Sequence, residues 1–343
     1  MLKRAILATV AAAAALFTAA PRPAEAGALY DAIRARGVLN CGIHTGLPGF
    51  AIPDSRGVWQ GFDVDFCRGL AAALFNDPDK VRYTPLSSPT RFTALSSGEV
   101  DVLFRVSTET MLRDVGLGIR AITPNFYDGH GFMVRGNANI SKAAELGGAT
   151  ICLLQGTTNE QVTAEYFRTN NLQFSPVLFA RTDQATDALQ AGRCDAFGTD
   201  ASQLAAVRSS MQNPGEWKIL DERFSKEPYG PYVRRGDDEW YDVVRWYVNA
   251  VIQAEESGVT RANVDEVKRT TTNPDTRRLL GVTPELGQAL RLDPNWVVNI
   301  VKAVGNYGEI YERHMGPRSP VGLARGANEL WTRGGLLYAL PMR

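Results

Sequence analysis

Three short stretches of this chain carry residue types suited to holding a small charged molecule. The first is Val100-Asp101-Val102-Leu103-Phe104-Arg105-Val106-Ser107-Thr108-Glu109-Thr110-Met111-Leu112-Arg113, an apolar, β-branched run that ends in a hydroxyl-rich turn followed by an arginine. A guanidinium beside hydroxyls and backbone N–H groups matches a carboxylate bidentately. Ser107, Thr108 and Arg113 are therefore candidates for an anion seat, although Ser and Thr also cap helices and Arg113-Asp114 reads equally as a solvated surface pair. The second stretch, Gly156-Thr157-Thr158, lies where a predicted strand runs into a helix, so free N–H groups and the helix dipole favour an anion. The third, Thr199-Asp200, offers the opposite sign: Asp200 suits an ammonium group, or else caps the helix beginning at Ala201. Arginine and hydroxyls on one side, with amide donors and a carboxylate on the other, describe a zwitterion trap. The expected ligand is a free α-amino acid.

Other chemistries are absent from the sequence. His44, His130 and His314 lie far apart, with no HExxH or Cys/His cluster, so no metal site is expected. No phosphate loop, dinucleotide loop or nucleophile elbow appears, and no cofactor is expected. Lys+Arg 37 against Asp+Glu 37 leaves a formal charge of zero, which points to neither nucleic acid nor an anionic membrane as partner. The start of the chain reads as an export signal: a basic Met1-Leu2-Lys3-Arg4, an Ala-rich run over 5–20, and Ala24-Glu25-Ala26 as a cleavage site, with cleavage expected after Ala26. The mature chain is then expected to be soluble, monomeric and periplasmic. All four cysteines fall in the mature part, and an even count in an exported chain argues for two disulfides. Of the three possible pairings the local one, Cys41 with Cys67 and Cys152 with Cys194, is favoured because it staples each half to itself.

Elements that alternate along the chain must position these residues. Val38–Ile43 reads as a strand, Phe62, Phe66, Leu70 and Leu74 recur on one helix face with Asp63 as N-cap, and Val81–Leu86 alternates as a strand before a helix over Phe92–Leu95. The rhythm recurs: a strand at Ala149–Leu154, a helix through Val162 and Phe167, a strand at Phe174–Phe179, and a helix capped by Asp183. Ala94-Leu95-x-x-Gly98-x-x-Asp101 and Ala188-Leu189-x-x-Gly192-x-x-Asp195 share one spacing, the mark of two similar α/β lobes. Phe126–Val134 and Pro228–Val233 are Gly-containing extended crossings, read as hinge strands. Beyond Asp237 the chain is helical, with Trp240, Val243, Val244, Tyr247 and Val251 on one face, and the apolar tail over 308–343 is expected to wrap the first lobe. The domain reading is a signal at 1–26, a first lobe over 27–127, a second over 128–231, and a return to the first lobe with an extension over 232–343.

The mature sequence resembles the amino-acid-binding proteins of bacterial ABC importers, in particular the general, broad-specificity L-amino-acid subfamily. The likeness is carried by Leu39–Phe50, Gly61-Phe62-Asp63-Val64-Asp65-Phe66-Cys67-Arg68, Arg91-Phe92-Thr93-Ala94-Leu95, Gln155-Gly156-Thr157-Thr158 and Val301–Glu309. It implies an α/β, two-lobed periplasmic-binding-protein fold of type II, with two parallel-core sheets joined by a two-strand hinge, and permease subunits of an inner-membrane ABC transporter as partners. It also implies Arg113 as α-carboxylate clamp with Thr108 and the backbone of Thr157 and Thr158, Asp200 for the α-ammonium, and Phe50 and Trp59 near the ligand side chain. Two departures bear on specificity: Val106-Ser107-Thr108-Glu109-Thr110 stands where the family reads Asn-Thr-Thr-Trp-Thr, and His44 stands in place of an Asn. Two alternatives share the fold: an exported dehydratase-like enzyme with Glu109 or His44 as proton donor, and a soluble amino-acid sensor subunit.

Overall fold

The computed structural model describes residues 27–343; the expected export signal lies outside the described residues. Two five-stranded sheets organise the molecule. The first has the order Val81–Leu86, Leu39–His44, Val102–Leu103, Tyr232–Arg234, Ile119–Ala121. Its first three strands are parallel, with Leu39 opposite Val81 and Cys41 opposite Val102, and Tyr232–Arg234 enters antiparallel. The second has the order Ser175–Phe179, Thr150–Leu154, Ala196–Asp200, His130–Arg135, Trp217–Ile219, again with a parallel start and antiparallel strands at the far side. Helices flank both sheets, which buries the inner strands Leu39–His44, Val102–Leu103, Thr150–Leu154 and Ala196–Asp200 and explains their apolar composition, while the edge strands Val81–Leu86 and Ser175–Phe179 are more exposed.

The repeat has a structural reason. Asp101 accepts a hydrogen bond from the backbone N–H of Asn40 at 2.8 Å, and Asp195 accepts one from Thr150 at 2.7 Å. In each lobe the repeated Asp thus ties its own strand to the start of the neighbouring one, while Gly98 and Gly192 end the preceding helix in the left-handed region. Each lobe also carries its own disulfide, Cys41–Cys67 and Cys152–Cys194.

Several local expectations change. The helix Phe62–Phe75 is preceded by Gly61, not capped by Asp63. Gly61 has φ +137°, and a Cβ there would lie 2.2 Å from the Phe50 carbonyl oxygen, so the turn demands glycine. Asp63 is the second residue of the helix, buried within its first turn and in the field of Arg105. Asp183 is likewise inside the helix Thr182–Gln190, paired with Arg181 at 2.5 Å. The helical region beyond Asp237 is interrupted late in the chain: Trp296–Val304 and Tyr307–His314 are separate helices, broken at Gly305 with φ +90°.

Between the sheets runs an antiparallel ribbon of Phe126–Asp128 and Glu227–Tyr229. Both its edges are covered. On one side Thr108 bridges Tyr229 and the Glu109 N–H donates to the Pro228 carbonyl at 2.8 Å. On the other the Asn328 side chain accepts from the Tyr127 N–H at 2.7 Å and donates to the Tyr127 carbonyl at 3.0 Å. The C-terminal extension continues along the long helix Asp238–Glu256: Arg325 pairs twice with Glu255 at 3.1 Å, and the Leu340 N–H donates to Asn249 at 2.8 Å. That helix belongs to the first lobe's core, since Trp240 Nε1 donates to the Asp101 carbonyl at 3.0 Å.

Candidate ligand-binding site

The carboxyl ends of the parallel strands of both sheets face one another across a narrow cavity, the position at which open α/β sheets bind ligands. It is lined from the first lobe by Ser88, Arg91, Arg105, Val106, Thr108 and Arg113, and from the second by Leu154, Thr157, Thr158, Asn159, Asp200 and Gln203.

Arg113 sits in the short helix Met111–Gly116, which Thr110 caps by accepting from the Arg113 N–H at 3.3 Å. Its Nη1 donates to the Thr108 carbonyl at 2.9 Å, and its guanidinium lies 5.1 Å from the Phe92 ring centroid. Arg91, at the start of the helix Arg91–Ser97, lies over the same ring at 4.4 Å, and its Nε donates to Ser107 Oγ at 3.1 Å. Ser107 therefore serves the site from beneath, outside the cavity lining. Arg105 donates to the Leu86 carbonyl at 3.1 Å and to Ser88 Oγ at 3.0 Å. Arg91 and Arg105 are buried, Arg113 half-buried. Among the described residues none of the three has an ion-pair partner within 4.0 Å. Burial pushes all three guanidinium pKa values down; for Arg91 the neighbouring Arg105 and Arg113 add to this, while for Arg105 the Asp63 carboxyl partly offsets it, so the charges are held at a cost that an anion would relieve.

The second lobe presents the opposite sign. Asp200 occupies the N-cap position of the helix Ala201–Ser210, yet its side chain caps nothing. Instead Oδ2 accepts from Asn159 Nδ2 at 3.0 Å and from Gln203 Nε2 at 2.6 Å, while Oδ1 is buried with no partner. A buried carboxylate oxygen without a donor is costly, and an ammonium group is what would complete it. Burial first, then the charges of Glu227 and Asp128, push the Asp200 carboxyl up to about 8. Asn159 is fixed in turn by buried His130, whose Nδ1 lies 2.7 Å from Asn159 Oδ1 and whose Nε2 lies 3.1 Å from Thr163 Oγ1. Since Asn159 Nδ2 donates to Asp200, its Oδ1 accepts, which puts the His130 proton on Nδ1.

Thr157 caps the helix Thr158–Thr169, accepting from the Glu160 N–H at 3.2 Å, so the unpaired first-turn amides begin at the cavity. The hinge contributes Glu227, which is buried at the base of the cleft. Its Oε2 accepts from Thr108 Oγ1 of the first lobe at 2.5 Å and from Thr158 Oγ1 of the second at 2.7 Å, and its Oε1 from Ser225 at 2.5 Å.

Of the residues expected at the site, Arg113, Thr108, Thr157, Thr158 and Asp200 come together here. Phe50 does not: it is buried in an aromatic cluster with Phe62, Phe126 and Tyr229, at ring distances of 5.4–6.4 Å. Trp59 pairs with Pro53 in a two-residue ladder away from the cavity. His44 is buried between the lobes, and neither it nor Glu109 lines the cavity, which leaves the enzyme alternative without its proton donor. Arg91, Arg105, Asn159, Gln203 and Glu227 were missed. Arg105 alone had a signal, a charged residue within a buried apolar run.

The family model for bacterial extracellular solute-binding proteins, family 3, matches residues 39–317. The chain is 50% identical to the general L-amino acid-binding periplasmic protein AapJ of Rhizobium johnstonii, over 98% of this chain and 99% of that one. It is 48% identical to the glutamate/glutamine/aspartate/asparagine-binding protein BztA of Rhodobacter capsulatus, over the whole of both. Among solved structures, a periplasmic binding protein of an ABC transporter from Brucella ovis, with glutathione bound, superposes with a TM-score of 0.89 at 51% identity, covering 92% of this chain and 99% of that one.

Proposed function

The chain belongs to the bacterial extracellular solute-binding proteins of family 3, and from that premise we propose how it holds its ligand. It is the amino-acid-binding subunit of an ABC importer. Arg113 binds the α-carboxylate with help from Thr108 and the first amides of the helix Thr158–Thr169, and Asp200 binds the α-ammonium. The observation that carries this reading is that Asp200, whose Oδ1 has no partner, lines one cavity with three guanidiniums that have no ion-pair partner within 4.0 Å. Arg91 and Arg105 exceed what an α-carboxylate needs, which favours an amino acid with a second carboxylate, such as L-glutamate or L-aspartate, over the amides. Residues 128–231 act as one lobe, and 27–127 with 232–343 as the other. They close about the Phe126–Asp128 and Glu227–Tyr229 ribbon to make the surface that permease subunits read. The protein works as a periplasmic monomer after cleavage behind Ala26.

Calorimetric titration of the ligand-stripped mature protein with the L-amino acids tests this. Binding should be tight for the wild type and at least about thirtyfold weaker for Arg113→Ala, since losing one partner of a buried charge pair costs about 2–5 kcal/mol. Binding indifferent to that substitution would overturn the assignment.

A further inference from the structure

We propose that His44 and Thr182 form a latch across the cleft, so that the closed form requires an uncharged His44 and ligand retention weakens in acid. The inference rests on the amino-acid reading of the cleft but concerns residues outside the ligand cavity, so His44 is a positioning residue. His44 ends the strand Leu39–His44 of the first lobe, and Thr182 opens the helix Thr182–Gln190 of the second. The Gly46 N–H donates to His44 Nδ1 at 3.1 Å, which leaves the ring proton on Nε2. That Nε2–H donates to Thr182 Oγ1 at 3.2 Å. A second bond between the lobes lies beside it, from the Ser88 N–H to the Ala180 carbonyl at 3.3 Å. Both His44 and Thr182 are buried, and the edge of the ring that carries Nε2 faces the opposite lobe, so parting the lobes delivers that edge to water.

The charges acting on the ring are Arg105 and Arg91 from the first lobe and Arg181 from the second, Arg181 itself being paired with Asp183. Burial, then these cations, hold the imidazole pKa well below its ordinary range. A proton at Nδ1 would displace the Gly46 N–H and place another positive charge among the three arginines. In the open form the ring regains a value near 6.5. Protons therefore bind the open form more tightly than the closed one. Closure is fully favoured above about pH 6.5 and is progressively lost as pH falls below it. Asn, which stands here in the family the sequence resembles, can accept from one side and donate to the other without titrating. His44→Asn thus keeps the latch and removes its pH dependence.

The experiment measures the Kd of L-glutamate for the mature wild-type protein, His44→Asn and Thr182→Val between pH 5 and 7.5. Groups shared by the proteins, Asp200 included, cancel in the ratio of wild type to His44→Asn. That ratio should rise about thirtyfold toward pH 5, from the ordinary histidine value, and Thr182→Val should weaken binding several-fold at pH 7.5. Parallel pH curves for wild type and His44→Asn would overturn the latch. If L-glutamate binds none of the proteins, the ligand reading fails, and small-angle scattering of the proteins alone decides the latch. Expansion on acidification in the wild type but not in His44→Asn supports it, and superimposable responses overturn it.

Discussion

The two halves of the repeat share a frame and differ where it matters for binding. Counting from the repeated Asp, Arg105 of the first lobe corresponds to Thr199 of the second, and Val106 corresponds to Asp200; three residues before the repeated Ala, Arg91 corresponds to Ala185. The Asp-to-backbone tie at the strand start is the same in both. One scaffold thus offers guanidiniums from one lobe and a carboxyl group from the other, and among the described residues neither set has an ion-pair partner of its own within 4.0 Å. On the proposed reading each face is completed by one end of a molecule bearing both signs.

Substitutions that exchange the character of one lobe should break this contrast unequally. Asp200→Asn should have the largest effect, weakening amino-acid binding about a hundredfold, while a des-amino analogue of the ligand should bind wild type and variant alike by calorimetry. The same carboxyl gives a titration readout. With its pKa near 8 in the ligand-free protein and an ammonium favouring its ionised form, binding at pH 7 should release close to one proton. Calorimetry in buffers of different ionisation enthalpy measures this, and Asp200→Asn should release none from this site. Arg91→Gln should sharpen the contrast within the first lobe: the preference for L-glutamate over L-glutamine should fall by about tenfold, about 1.4 kcal/mol, as one charge-assisted bond becomes neutral.

The smallest effect concerns Val106. It has φ +31°, in the left-handed region that β-branched residues avoid, at the position where the resembled family has Asn, which tolerates that conformation. Val106→Asn should raise the stability of the ligand-free protein by about 1 kcal/mol in thermal unfolding, the usual cost of a left-handed residue.

Residues that announce themselves by local chemistry were legible in sequence. Arg113 after a hydroxyl turn, the Thr157-Thr158 helix start and Asp200 at a strand end all follow from strand periodicity and the rule that ligands gather beyond carboxyl ends. What escaped depends on which element packs behind which. Arg91 reads as an ordinary helix start until Phe92 is seen holding both it and Arg113. Glu227 lies in a hinge strand, and only the closed geometry brings Thr108 and Thr158 to it from opposite lobes. Phe50 misled for the complementary reason: an aromatic beside glycines looks accessible, but the Gly61 turn folds it into the core.

The hinge ribbon has a bearing on how the protein avoids pairing with other chains. A bare two-stranded ribbon presents two rows of free N–H and carbonyl groups, each a template for pairing with another chain. Here the Thr108–Glu109 loop occupies one row and the Asn328 amide stands in for a strand on the other. The crossing between the lobes therefore shows no open edge to its neighbours. Removing the Asn328 side chain would expose the ribbon to strand-mediated self-association at high concentration, a hazard distinct from any loss of binding.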